Sequence, residues 1–171
     1  MNNIIKIVGR FIFLLFIQIF ILNQVEIGLG IHIMVHPLMI MLLPFELNVI
    51  YAMLLAFTTG FFIDIYSNTF GLYASSLTLF AYARPLLFKF YAPREGYDPL
   101  KEPTVFDMGG RWFFFVYGYL ILIHHFWYFF IEIFRISDFF YILQKTILSV
   151  ISSFVLALLL QTFFIRKSKN S

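Results

Sequence analysis

Asp64 stands alone in the stretch TTGFFIDIYSNTFGLYASS, residues 58–76, a single carboxylate among apolar and small side chains. A charge at the centre of a bilayer costs about 2.5–3.5 kcal/mol on insertion scales, so such a residue needs a partner or a task. Three readings compete. It accepts hydrogen bonds from Ser67, Asn68 or Thr69 and locks a turn, or it joins His124, His125, Tyr128 or Lys145 in a polar cluster. The third is an ion or proton site on a transport path. Transporters gather several charges near the midplane, whereas here the charges scatter toward the ends of the apolar runs. That weighs against the third reading.

The histidines suggest metal chemistry only superficially. His124 and His125 are adjacent, and neighbouring helix positions point about 100° apart, so both rings cannot readily chelate one ion. His32 and His36 have the i, i+4 spacing a chelating face needs, but Pro37 interrupts the helix that would present them. Satisfied or interfacial histidines are expected, with no metal and no cofactor. Cysteine is absent, which excludes thiolate chemistry and disulfides. There is no spaced Ser/His/Asp set, no phosphate-binding loop and no pair of carboxylates on one face. The expectation is a protein without enzymatic activity.

The elements that position these residues are membrane spans. The composition is 61% hydrophobic and 12% charged, about half the charge of a soluble domain; mean hydropathy is +0.89. The expected fold is therefore an all-α integral membrane protein, residues 1–171 forming a single transmembrane domain. Apolar spans fall at 7–25, 31–45, 49–66, 70–88, 112–134 and 141–165. The second is short and carries Pro37 and Pro44, so it reads as kinked or re-entrant. The first follows Lys6 and Arg10 as a signal peptide would, but its run is long and NQVEIG offers no small-residue cleavage site, so it reads as a retained helix.

Charge sets the orientation. With six crossings and the N-terminus inside, the inner side receives Lys6, Arg10, Lys89, Arg94, Lys101, Arg111, Arg166, Lys167 and Lys169; the outer side receives Arg135, with Lys145 at its edge. This obeys the positive-inside rule. The net charge of +3 is thus an orientation signal and not a nucleic-acid footprint. The loop 89–111 becomes the one long cytoplasmic segment.

Small residues at spacing four mark faces where helices approach in lipid. Ala52, Ala56, Gly60 and Asp64 share one face of the third span; Gly71, Ser75 and Thr78 do so on the fourth, with Ala74 and Ala81 beside them; Ser149, Ser153 and Ala157 on the sixth, framed by Lys145 and Gln161. The few residues around Asn68 then make spans three and four a tight antiparallel hairpin. Arg84 lies too many turns from Asp64 to meet it, and an ion pair between Arg84 and Glu46 at the inner ends is expected instead.

Together, R-F-x-x-L-x-x-x-Q from Arg10 to Gln18, LLPFE at 42–46, GFFIDIYSNTFGL at 60–72, ARP at 83–85 and REGY at 94–97 resemble the rod shape-determining MreD family over nearly the whole chain. The resemblance implies a bacterial inner-membrane protein with both termini cytoplasmic. It also implies a compact six-helix fold similar to the substrate-binding subunits of energy-coupling-factor transporters. By the same resemblance the chain is a scaffold of the cell-elongation machinery, beside an MreC-like periplasmic protein, MreB, RodA and a class B penicillin-binding transpeptidase. The family supplies no catalytic residues. The alternative is a small-molecule or lipid-binding transport subunit, motivated by the fold analogy and by Asp64.

Overall fold

The computed structural model describes residues 2–25 and 28–164; the basic tail residues Arg166, Lys167 and Lys169 lie outside them. The described residues are helical, with no strand. Helix α1 (Asn2–Phe16) runs into a π-helical turn at Ile17–Ile21 and a 3-10 turn at Leu22–Gln24. A short α2 (His36–Met41) follows, then α3 (Val49–Ser67), α4 (Leu72–Phe90), α5 (Val105–Met108), α6 (Gly110–Ile133) and α7 (Phe139–Phe164). Among the described residues four stretches are long and apolar enough to cross a membrane: Ile7–Gln24, Val49–Ser67, Gly110–Ile133 and Ile136–Phe163. Helix α4 has the length, but Arg84, Lys89 and its serines and tyrosines dilute its apolar character.

The second expected span is the largest departure from a regular bundle. Only six residues are helical, with Pro37 at the first turn, where a missing N–H costs nothing. Residues 31–35 before it are not helical. Yet Met34–Leu43 are all buried, so this broken segment threads the interior. It starts beside α6 and α7, where His32 stacks on Phe129 at 5.6 Å. It finishes where Phe45 stacks on Tyr97 at 4.3 Å. It therefore runs the length of the bundle.

Two ends are thereby defined. At one, the loop end, Arg10 pairs with Glu102, Val105 N donates to Gln161 Oε1 at 3.0 Å, and Tyr97 Oη donates to Phe88 O at 2.7 Å. At the other, the hairpin end, Asn23 Nδ2 donates to Ser67 Oγ at 2.7 Å and Lys145 Nζ to Glu132 Oε2 at 2.6 Å.

Helix α4 is central, packing on α3 and α6, while α7 packs on α6. The α3 face is the one its sequence stripe marks: Ala52, Ala56, Gly60 and Asp64 are all buried. A Cβ on Gly60 would fall 2.4 Å from Ala74 Cα and 2.6 Å from Ala74 N, so the two backbones touch there. Lipid tails are as apolar as leucine, so this close approach, and not expulsion of water, holds the pair. On α4 the notch is Ala74 and not Ser75. Ser75 is half-buried and returns its hydroxyl to Leu72 O at 3.1 Å, as Thr78 does to Ala74 O at 2.7 Å. The expected Gly71–Ser75–Thr78 seam is corrected accordingly: α4 is rotated so that Ala74, Leu77 and Ala81 are buried.

Candidate functional site

Asp64 is the hinge of the hairpin. Its carboxylate accepts from Thr69 Oγ1 at 2.5 Å, from Tyr73 N at 3.1 Å and from Ala74 N at 2.9 Å. Tyr73 and Ala74 are in the first turn of α4, whose N–H groups have no partner within the helix. Gly71, at the cap position with φ 84°, has no side chain to serve them. Asp64 supplies the cap from the neighbouring helix, a place where negative charge is also favoured by the helix dipole. Asn68, at φ 53°, ends α3 in the left-handed conformation, its N–H returning to Asp64 O. Of the three turn residues expected to hold the carboxylate, Thr69 does so; the Ser67 hydroxyl instead accepts from Asn23. Lys145 is not the counter-ion of Asp64 but of Glu132.

Arg84 is 2% exposed, and the expected pair with Glu46 does not form. Glu46 is exposed. The guanidinium donates through Nη2 to Leu43 O, to Pro44 O at 3.2 Å and, at 3.4 Å, to Met41 O. It also lies 4.4 Å from the centre of the Phe88 ring. The reason is the early end of α2, which leaves the Met41 and Leu43 carbonyls without helical partners and concentrates negative dipole where Arg84 arrives.

A second polar set lies in the core. Residues 31–36 have backbone N–H groups without helical partners, in a place where an unsatisfied group is costly. Side chains serve those of His32, Met34, Val35 and His36. Ser149 Oγ accepts from His32 N at 3.0 Å, and Ser153 Oγ from Met34 N at 2.9 Å. Gln18 Oε1 accepts from Val35 N at 2.7 Å. The π turn at Ile17–Ile21 turns Gln18 inward, where it is fully buried. Ser149 and Ser153 are therefore backbone acceptors first and small packing residues second, while Ala157 is buried as a packing residue.

His36, His124 and His125 are all fully buried in this layer. Their protonation follows from their partners. His125 Nδ1 lies 2.9 Å from Ile121 O, so it must carry the proton, and Nε2 accepts from Ser153 Oγ at 3.1 Å. His124 Nδ1, 3.4 Å from that same N–H, is then unprotonated. Its Nε2–H faces Ser76 Oγ and His36 Nε2, each at 3.2 Å. Three neutral rings fit these contacts, with the buried His36 Nδ1 left without a hydrogen-bond partner among the described residues. Among the described residues no group of three or more His, Cys, Asp or Glu side chains is placed to hold a metal ion. The His36–His124 contact was invisible in the spacing, because it joins an irregular segment to a helix 88 positions away.

Above this layer a cavity of about 560 Å³ opens at the hairpin end. Its polar walls come from Asn23, His32, Ser67 and Thr69, its aromatic walls from Tyr66, Tyr73 and Tyr128, and among the described residues its one charged side chain is Glu132. At the loop end a hollow of about 680 Å³ lies among residues 93–108. There burial pushes the Tyr97 hydroxyl above its ordinary pKa, opposed by the Trp112 hydrogen bond and the nearby Arg84 charge. No protein-family model, curated protein or solved structure matches the chain.

Proposed function

We propose that the chain is a non-enzymatic scaffold of the bacterial cell-elongation machinery, an MreD-like protein of the cytoplasmic membrane. In this reading it crosses six times with both termini cytoplasmic. Residues 31–45 form the second, broken crossing, and the 89–111 loop lies inside. The hairpin end then faces outward to an MreC-like partner, with RodA and a class B transpeptidase alongside and MreB reachable from the loop. What carries the reading, beyond the sequence resemblance, is the fate of Asp64. The one carboxylate in the α3 run is consumed as a helix cap, so the hairpin is a rigid joint and not an ion site. The exposed α3 face, with Tyr51, Phe57, Phe61 and Ile65, offers lipid or a partner helix a continuous aromatic surface.

Capture of the tagged protein from membranes tests this. Elongation proteins should co-purify, and depletion should round the cells. Recovery of none of them, with cell shape unchanged, removes the reading. Asp64→Asn keeps one acceptor oxygen and should cost about 1–2 kcal/mol while retaining partner capture. Asp64→Ala strands three donors and should lose capture together with the folded hairpin. A second reading, a small-molecule-binding transport subunit with a fold similar to those of energy-coupling-factor transporters, is favoured by the cavity at the hairpin end.

A further inference from the structure

We propose that the cavity at the hairpin end binds a small organic cation, an ammonium group carried on an aromatic or apolar body. The inference rests on the second reading only in that the cavity is occupied; it does not require transport. At about 560 Å³ the space falls within the range of small-molecule sites.

Its charge is the deciding feature. Among the described residues Glu132 is the only charged one in the wall, and no lysine or arginine lines it. Glu132 gives Oε2 to Lys145, while Oε1 has no protein donor among the described residues. Lys145 stands behind the wall, its Nζ 4.7 Å from the centre of the Phe129 ring. Asp64 stands next to this wall, its Oδ1 accepting from the backbone N of Tyr73 at 3.1 Å, a residue that lines the cavity. Asp64 is held by neutral donors alone. Among the described residues, two carboxylates against one ammonium leave one net negative charge around the cavity. Arg135 does not cancel it, because it is highly exposed and faces Asp138 at 3.7 Å.

The walls match the same ligand. Tyr73 and Tyr128 pack at 4.9 Å, and with Tyr66 they put three aromatic rings, the side-chain type that attracts a cation, into the lining. An anion would meet both carboxylates. A neutral molecule would gain the stacking but nothing from the charge.

The test uses the full-length protein in nanodiscs of zwitterionic lipid, with empty nanodiscs as the blank. Three probes of one shape are titrated by calorimetry: 2-phenylethylammonium, neutral 2-phenylethanol and anionic 3-phenylpropanoate. The ammonium compound should bind saturably and at least about tenfold more tightly than the other two. Absence of saturation by it, or equal binding of all three, overturns the proposal on the wild-type protein alone. Glu132→Gln and Lys145→Met then separate charge from structure. Both break the same ion pair, so a merely structural role moves affinity in one direction for both. The proposed site requires opposite signs: weaker by about tenfold for Glu132→Gln, and tighter for Lys145→Met. Shifts of the same sign overturn it. Because binding is read directly, failure here leaves the scaffold reading intact, and failure of partner capture leaves this one intact.

Discussion

At the scale of single residues, two glycines of the same type should respond with opposite signs. Gly60 has the Ala74 backbone where its Cβ would stand. Backbone cannot rotate away as a side chain can, so Gly60→Ala must part α3 from α4. That separation also draws Tyr73 N and Ala74 N off the Asp64 carboxylate, joining a packing loss to a capping loss. A destabilisation of about 2–3 kcal/mol is expected. Gly118 lies inside α6 with nothing closer than Phe154 Cε2 at 4.0 Å. There alanine fits, and the helix gains the roughly 0.5–1 kcal/mol by which it prefers alanine to glycine. Thermal unfolding in one detergent should place the two variants on opposite sides of the parent. If Gly60→Ala is neutral, the backbone contact is not the seam.

At the scale of elements, the broken segment 31–41 is possible only because two other elements supply polar side chains to it. Gln18 comes from the π turn after α1, and Ser149 and Ser153 come from α7. The cost of irregular backbone in the interior is thus moved onto residues that a hydropathy plot reads as blemishes. Ser153 serves twice, accepting from Met34 N and donating to His125 Nε2. Ser153→Ala should cost about 1–3 kcal/mol, the range for a buried group left unsatisfied. Ser152 is the control, since its hydroxyl bonds Leu148 O within α7 and its loss should cost about 0.5 kcal/mol or less. Amide exchange makes the assignment local. Ser153→Ala should speed exchange at Met34, while Gln18→Leu should speed it at Val35. Uniform acceleration across α7 in both variants would mean that the serines pack helices and do not feed the segment.

At the scale of the whole molecule, the α3–α4 hairpin was legible in the sequence, because its contacts are local and its spacing is helical. Ala52, Ala56, Gly60 and Asp64 need only a 3.6-residue period to share a face. Arg84 was misread because its partners are carbonyls, and backbone freed by an early helix end leaves no residue-type signal. The histidine layer was missed for the same reason. Periodicity says nothing about where residues 31–35 run once they leave a helix. That segment decides the topology, and cysteine mapping can settle it because the chain has no native cysteine. Gln24, Phe70 and Ser137 are exposed at the hairpin end; Glu46 and Asp98 are exposed at the loop end. Single cysteines at the first three should react with an impermeant maleimide from one face of sealed vesicles, and those at the last two only after permeabilisation, or the reverse. The pair Gln24 and Glu46 is the sensitive one. If residues 31–45 pass from one side to the other, these two label from opposite faces. If the segment dips and returns, they label from the same face, and the loop holding Asp98 no longer shares a side with Arg10. The Arg10–Glu102 pair requires that shared side, so opposite labelling of Gln24 and Glu46 is the expected result.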